Sequence, residues 1–423
     1  MTSLQAPSVR PDTAAAVDGP VTDGRRSALP APRVLVTAAA LAAIGALAYA
    51  ILADQGARLG VLFAIGLAFG VALYHARFGF TSAWRRLVAV GQGAGLRAHA
   101  LMLAAASLLF APILATGAGL FGQAAEGNVS PIGLSVALGA FLFGVGMQLG
   151  GACASGTLYT IGGGQSAIVL TLAAFIGGSV LGAWHWGFWT QDALNGPAVS
   201  LAEPFGYPAA LAITLAVLAL IALASVAIER RRRPPRPSEP SSATGPARVL
   251  RGTWPLWVGA LVLAALNAAT LLVKGSPWGI TSAFALWGSK LAGGMGIDVA
   301  SWAYWSGDRA DSLAAPLLAD ATTVMNFGII LGALAAAAIG GTFALHRRIP
   351  VKTAVAAIAG GLLMGYGARL AYGCNIGAYF SGIASFSLHG WLWGLTALVG
   401  TYAGLKARPL FGLAVPRQSD STC

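Results

Sequence analysis

The sequence predicts an all-α polytopic membrane protein of about ten transmembrane spans, arranged as two five-span repeats of inverted topology with short re-entrant segments. Three observations lead there. Only 9% of the 423 residues are charged, against roughly 25% in a typical soluble domain. Hydrophobic residues make up 57%, in continuous runs rather than the polar-apolar alternation a β-barrel requires. Finally, two short motifs recur once in each half of the chain.

Taken in order, the first 33 residues are polar, contain Pro and lack an apolar core, so they read as a disordered tail rather than a secretory signal. A span needs about 20 apolar residues. Runs of that kind occupy 34–53, 57–75, 98–118, 131–152, 166–187, 207–228, 254–273, 322–345, 351–372 and 388–405. Segments 78–90 and 277–290 are apolar but too short, and read as re-entrant or interfacial pieces surrounded by protein or a water-filled cavity. The first membrane repeat is then 34–187. The second is 207–405, interrupted by an Arg- and Pro-rich flexible linker at 229–251, and residues 406–423 form a tail.

With the N-terminus inside, 21 of the 26 Lys and Arg residues fall on the cytoplasmic side and four outside, and Arg369 lies near a span end. That asymmetry places both termini in the cytoplasm. It also accounts for the net charge of +12 as a topology determinant, so nucleic acid is not expected as a partner and the basic linker faces membrane lipid instead.

The first repeated motif is Phe78-Gly79-Phe80-Thr81-Ser82-Ala83-Trp84, matched 200 residues later by Trp278-Gly279-Ile280-Thr281-Ser282-Ala283-Phe284. The second has the form G-x-G-x6-C-x2-G. It runs from Gly144 through Cys153 to Gly156, and again 221 residues later from Gly365 through Cys374 to Gly377. Five spans per half is an odd number, so the second half must enter the membrane upside down relative to the first, as in many secondary transporters that bind substrate where broken helices meet near the midplane.

Two of the chain's three cysteines sit in these matched Gly frames, and Cys423 is set aside as the end of a polar tail. A buried Cys is commonly a small inert hydrophobe. A repeat-related pair at helix breaks points instead to a thiol-lined constriction, because thiols are weak donors and soft acceptors suited to a sulfur- or selenium-bearing substrate. Gly151, Gly156, Gly373 and Gly377 would let backbone approach the substrate, with Asn375 beside the second thiol. Arg369 either attracts an anion or snorkels to the interface. Thr81, Ser82, Thr281 and Ser282 would hydrogen-bond a dehydrated anion or satisfy freed backbone groups. Trp184, Trp186, Trp189, Trp302, Trp305, Trp391 and Trp393 read as interfacial belt residues. The five His residues show no ligand spacing, so no metal and no cofactor is expected. All 14 acidic residues fall in tails, loops or span ends, which disfavours a proton- or sodium-driven pump and favours facilitated passage of an anion.

The segments GVGMQLGGACASGTLYTIGGG and GYGARLAYGCNIGAYFSGIASFSLHGW resemble the YeeE/YedE sulphur-transport family, and the similarity covers roughly 57–187 and 255–408. The resemblance implies a multi-pass protein of the bacterial inner membrane that imports thiosulfate or a related sulfur-containing anion. It further implies that Cys153 and Cys374 hand the anion along through S–H···S contacts, without covalent chemistry. Some members carry another Cys in the first short segment, where Phe78-Gly79-Phe80-Thr81-Ser82 has none. Other members are linked to selenium or to sulfur oxidation. A transporter rather than an enzyme is therefore expected. The alternatives are a selenium-compound transporter, a membrane sulfur-transfer protein using one thiol as nucleophile, and a subunit delivering sulfur to a cytoplasmic sulfur-carrier protein through the linker.

Overall fold

The computed structural model describes residues 30–235, 245, 247–345 and 348–417. Most of the expected N-terminal tail lies outside these residues, as do linker positions 236–244 and 246, His346, Arg347, and the end of the C-terminal tail with Cys423.

Among the described residues the regular structure is helical, with two isolated bridges, Pro131 to Ala198 and Ser200 to Ser387. Thirteen helices matter here. They are α1 (Val34–Gln55), α2 (Ala57–Ala76), α3 (Phe80–Val90), α4 (Ala94–Thr116), α5 (Leu134–Leu149), α6 (Ala154–Gly162), α7 (Ser166–Trp184), α8 (Ala202–Arg232), α9 (Leu256–Lys274), α10 (Thr281–Gly294), α11 (Ala321–Ile339), α12 (Val351–Leu370) and α13 (Leu388–Ala407). Their ends follow local chemistry. Pro255 and Pro350 precede α9 and α12, where a missing N–H costs nothing. The Asp320 carboxylate accepts from Thr323 N at 2.7 Å and caps α11. Left-handed residues close α2, α3, α4 and α9 at Arg77, Gly91, Gly117 and Gly275.

Each of the ten expected spans coincides with one of these helices. Among the described residues, however, nine helical stretches rather than ten are long and apolar enough to cross a membrane. Three of these include a short helix beyond a break: Ala57–Val90, Leu134–Gly162 and Val351–Ala384. The stretch that falls short is α13, because His389, Trp391, Trp393, Tyr402 and its Gly and Thr residues dilute the apolar run. The two short segments form α3, of 11 residues, and α10, of 14.

Helix α2 packs along α11, α5 along both α12 and α13, and α12 along α7. Glycine makes these crossings backbone-to-backbone. A Cβ on Gly66 would lie 2.5 Å from Met325 O; one on Gly139 would lie 2.6 Å from Gly367 O, and one on Gly146 2.7 Å from Gly360 O. Similarly, a Cβ on Gly144 would run into Ala397 O, and one on Gly365 into Phe175 O. Small residues allow such approach where lipid supplies no hydrophobic drive for helices to associate. A chain of rings, Trp84–Tyr379, Tyr379–Trp393, Trp393–Phe143, Phe143–Phe175 and Phe175–Phe284, fills the centre with centroid separations of 5.0–6.2 Å. By contrast, only 11% of α1's most apolar window and 17% of α8's are buried, so these two helices are peripheral.

The tryptophan belt needs correction. Trp393 is fully buried and donates to Gly373 O at 3.2 Å, and Trp305 is buried and donates to Ser289 Oγ at 3.0 Å. An indole N–H in a dry interior must find an acceptor, and both have found one inside the protein. Trp184 is exposed, as a belt residue would be.

Gly365→Val should therefore prevent close packing of α12 on α7, costing about 1–3 kcal/mol or more through overpacking. Gly294, with nothing within 4 Å of an added Cβ, should accept Ala without loss. Thermal unfolding of the two purified variants, followed by size-exclusion chromatography, checks this; equal stability would refute the packing reading.

Candidate functional site

Two cavities open at opposite ends of α9, a 19-residue helix about 28 Å long. The larger, about 830 Å³, is lined by Trp254 and Pro255 before α9, by Phe78, Gly79 and Ser82, and by Arg77, Arg86 and Arg248. The smaller, about 320 Å³, is lined by Ser276 and Pro277 beyond α9, by Trp278–Ser282, and by Arg309 and Arg369. Part of one copy of the repeated motif thus lines each cavity: Phe78, Gly79, Ser82 and Ala83 in the larger, Trp278–Ser282 in the smaller.

Cys153 and Cys374 occupy matching local positions. Each is an extended residue between the end of a long helix, α5 or α12, and a short helical segment, α6 or the π-helical turn Asn375–Phe380. Both are buried in the central cluster, away from the outer surface. The Cys153 carbonyl accepts from Thr157 N at 2.7 Å and Thr157 Oγ1 at 2.8 Å, and its Sγ lies 3.5 Å from Ser155 Oγ. Cys374 Sγ accepts from Ile376 N at 3.4 Å, and its carbonyl from Ala378 N at 2.9 Å. Neither thiol lines either of these two cavities. Gly373 and Gly377, flanking Cys374, line the smaller one; Tyr159 and Thr160, on the helix Cys153 caps, line the larger.

The flanking glycines have distinct reasons. Gly151 (φ +84) and Gly373 (φ +149) take backbone conformations that side chains disfavour. A Cβ on Gly156 would sit 3.4 Å from Cys153 Sγ, so its absence keeps space beside the sulfur. Gly377 O accepts from Asn128 Nδ2 at 2.6 Å. Asn375 is buried, with Nδ2 3.9 Å from Met147 Sδ and no donor to its Oδ1.

Arg369 is buried at the floor of the smaller cavity rather than snorkelling outward. Its Nη2 donates to Thr281 Oγ1 at 2.6 Å and its Nη1 to Tyr304 Oη, while Nε has no acceptor. Ser282 lines the same cavity. On the other side, Thr81 is buried with its hydroxyl unpartnered, and Thr81 O accepts from Gln148 Nε2 at 3.4 Å. Ser82 Oγ donates to Gly79 O at 3.1 Å. Gln148, 221 residues before Arg369, also accepts from Arg85 Nε at 2.9 Å. The two motif threonines thus meet equivalent positions on α5 and α12, one a glutamine and the other an arginine.

No Asp or Glu is buried among the described residues. Nor do three or more His, Cys, Asp or Glu gather there closely enough to hold a metal ion. The site also contains residues that sequence reasoning missed. Asn267, inside the apolar run of α9, receives Trp278 N at 2.8 Å on Oδ1 and donates to Ser381 Oγ at 3.2 Å, tying both broken segments together. A polar residue mid-span was a usable signal. Tyr304 and Asn128 lie in loops distant in sequence and gave none.

Residues 75–403 match the sequence pattern of a family described as Sulphur transport. A thiosulfate transporter, TsuA, of Spirochaeta thermophila is 28% identical over 345 residues, covering 80% of this chain and 95% of that protein. A probable transporter, YedE, of Salmonella typhimurium is 32% identical over 151 residues, and its Escherichia coli counterpart matches equally. That stretch is 35% of this chain and 37% of each YedE protein, so the chain matches little more than a third of their length. Because the family pattern extends through both cavities and both cysteine frames, the chain belongs to the Sulphur transport family.

Proposed function

We propose that the chain imports thiosulfate or a related sulfur-containing anion across the bacterial inner membrane, through a constriction formed by Cys153 and Cys374 between the two cavities. The observation that carries this is that part of one copy of the repeated motif lines each cavity, Ser82 in the larger and Thr281 with Ser282 in the smaller, at opposite ends of α9, with the matched thiols buried in the protein core. The thiosulfate transporter of Spirochaeta thermophila, alike over most of both chains, supplies the substrate class.

An inverted repeat is the architecture we infer, and the helix contacts support it. Exchange of positions 221 apart turns the Gly146–Gly360 contact of α5 and α12 into the Gly367–Gly139 contact of the same two helices. Such a self-complementary crossing is what a two-fold relation produces. With the α7 and α13 positions offset by 222 instead, Gly404 against Gln148 is matched by Gly182 against Arg369, and Gly144 against Ala397 by Gly365 against Phe175. In this reading α3, α10, α6 and the 375–384 segment are the re-entrant pieces, and the peripheral α1 and α8 begin the two halves. Both termini are cytoplasmic and the smaller cavity faces outward.

Selectivity follows from the lining. Thiosulfate and sulfate are tetrahedral dianions that differ at one terminal atom. Terminal sulfur is softer and less strongly hydrated, so it loses less when stripped of water. Two thiols are weak donors and replace sulfate's hydration poorly. Tenfold discrimination needs only about 1.4 kcal/mol. Ser155 Oγ lies beside the Cys153 thiol and the Ile376 amide beside that of Cys374, and neither is a base that would activate a sulfur-accepting nucleophile.

Liposomes containing the purified protein should accumulate labelled thiosulfate, and Cys374→Ala should abolish uptake while still inserting and folding. Normal uptake by that variant would reduce Cys374 to a packing residue. Unlabelled thiosulfate should compete strongly and sulfate weakly; equal inhibition would remove the thiols as the selectivity element. In a Cys423→Ser background, a maleimide should label Cys153 and Cys374 in detergent only after denaturation, and added thiosulfate should not speed labelling. Rapid labelling of the native protein would contradict their burial.

A further inference from the structure

The two halves differ most between their short helix and the next span. In the first half, α3 and α4 are joined by residues 91–93 alone. In the second, residues 295–320 separate α10 from α11 and fold into short turns and the helix Asp308–Ala314. This insertion is tied down. Lys290 Nζ donates to Leu313 O at 2.6 Å and to Ala315 O at 2.7 Å, and Trp305 Nε1 to Ser289 Oγ. It reaches the smaller cavity through Tyr304, whose hydroxyl accepts from Arg369, and through Arg309.

Arg309 is exposed, and its guanidinium lies over two rings, 4.6 Å from the Tyr304 centroid and 5.1 Å from that of Trp186. The same Tyr304 ring carries Arg369 at 5.7 Å. One aromatic residue of the insertion therefore stands between a cation at the cavity mouth and a cation at its floor. Among the described residues the ion pair of the chain is Arg97 with Glu229, so neither cation is neutralised by a carboxylate contact. Glu126 also lines this cavity, yet it forms no ion pair with either. Inside, Arg369 Nε and Trp278 Nε1 are buried donors without acceptors. Two arginines and the unanswered Trp278 N–H around one small cavity call for an anion with several acceptor atoms.

We propose that residues 295–320 form an anion-recruiting cap, in which Arg309 captures a small divalent oxyanion at the mouth and delivers it past Tyr304 to Arg369. This rests on the transport reading above for the identity of the anion, but the recruiting step precedes the thiols and is separable from them. The rings hold the Arg309 guanidinium in place while leaving its N–H groups for a ligand, because cation–π contact uses the face of the cation rather than its donors. A fixed charge at a narrow mouth raises the local concentration of an oppositely charged solute. Its removal should therefore raise the half-saturation concentration and leave the maximal rate unchanged.

The test is initial-rate uptake of labelled thiosulfate by spheroplasts, which expose the outer face, together with equilibrium binding to the full-length protein in detergent. Arg309→Met keeps the aliphatic stem and should raise the half-saturation concentration about 3- to 10-fold with unchanged maximal rate; Arg309→Lys should restore most of it. Asp308→Asn combined with Asp311→Asn, at exposed positions of the same short helix, should lower it. Half-saturation unmoved by both the Met variant and the double Asn variant overturns the proposal. So does a change in maximal rate alone, which marks a packing role. If the Met variant fails to insert, the double Asn variant decides alone. Cys374→Ala should block uptake but retain binding with the wild-type dependence on Arg309. Wild-type protein that binds thiosulfate without moving it would refute the transport reading while leaving the cap intact. Binding that is indifferent to Arg309 refutes the cap while leaving transport intact.

Discussion

Backbone contact between α5 and α12 is the constraint on which the rest of the structure depends. Gly139 against Gly367 and Gly146 against Gly360 bring the two helices together with no side chain between them. Each helix breaks just beyond this crossing, and each break carries a cysteine. The outer flanks are set by the same means, α13 closing on α5 through Gly400 and Gly404, and α7 on α12 through Gly178 and Gly182. A β-carbon at any of these positions would push apart the helices that deliver the thiols. Packing and site are thus one arrangement, because in lipid close van der Waals fit takes over the role that hydrophobic collapse plays in water.

The motifs shared by the two parts of the chain make their differences informative. Gln148 and Arg369 occupy matching places against Gly404 and Gly182, yet one is neutral and relies on Arg85 for a cation while the other carries its own. Phe78 and Trp278 match, but only the tryptophan brings a donor. The proposed cap extends the difference to the surface of one side.

The kind of charge that is buried has its own consequence. Buried carboxylates are absent among the described residues, and the buried arginines Arg369 and Arg408 are satisfied mainly by hydroxyls and carbonyls rather than ion pairs. A guanidinium held this way keeps its charge available to a passing anion, whereas a carboxylate partner would compete for the same donors.

The sequence by itself determined the class, the positions of the long helices and the two cysteine frames. Backbone groups in hydrocarbon must bond within their own segment, so composition and run length suffice to locate helices. A repeated motif with Cys is visible because two copies share one frame. The close-packing glycines were legible as spacings, as in Gly66 with Gly70 or Gly361 with Gly365, but a spacing does not say which helix lies opposite. Only the tertiary structure decided that Trp393 belongs to the core, that Asn128 holds Gly377, and that Tyr304 and Arg309 lean over a cavity floored by Arg369. The contacts of Tyr304 with Arg369, of Arg309 with Trp186 and of Asn128 with Gly377 join residues 65, 123 and 249 positions apart, and they depend on helix rotation and loop path. Local propensity is indifferent to both, because the energies that set them arise between segments rather than within them.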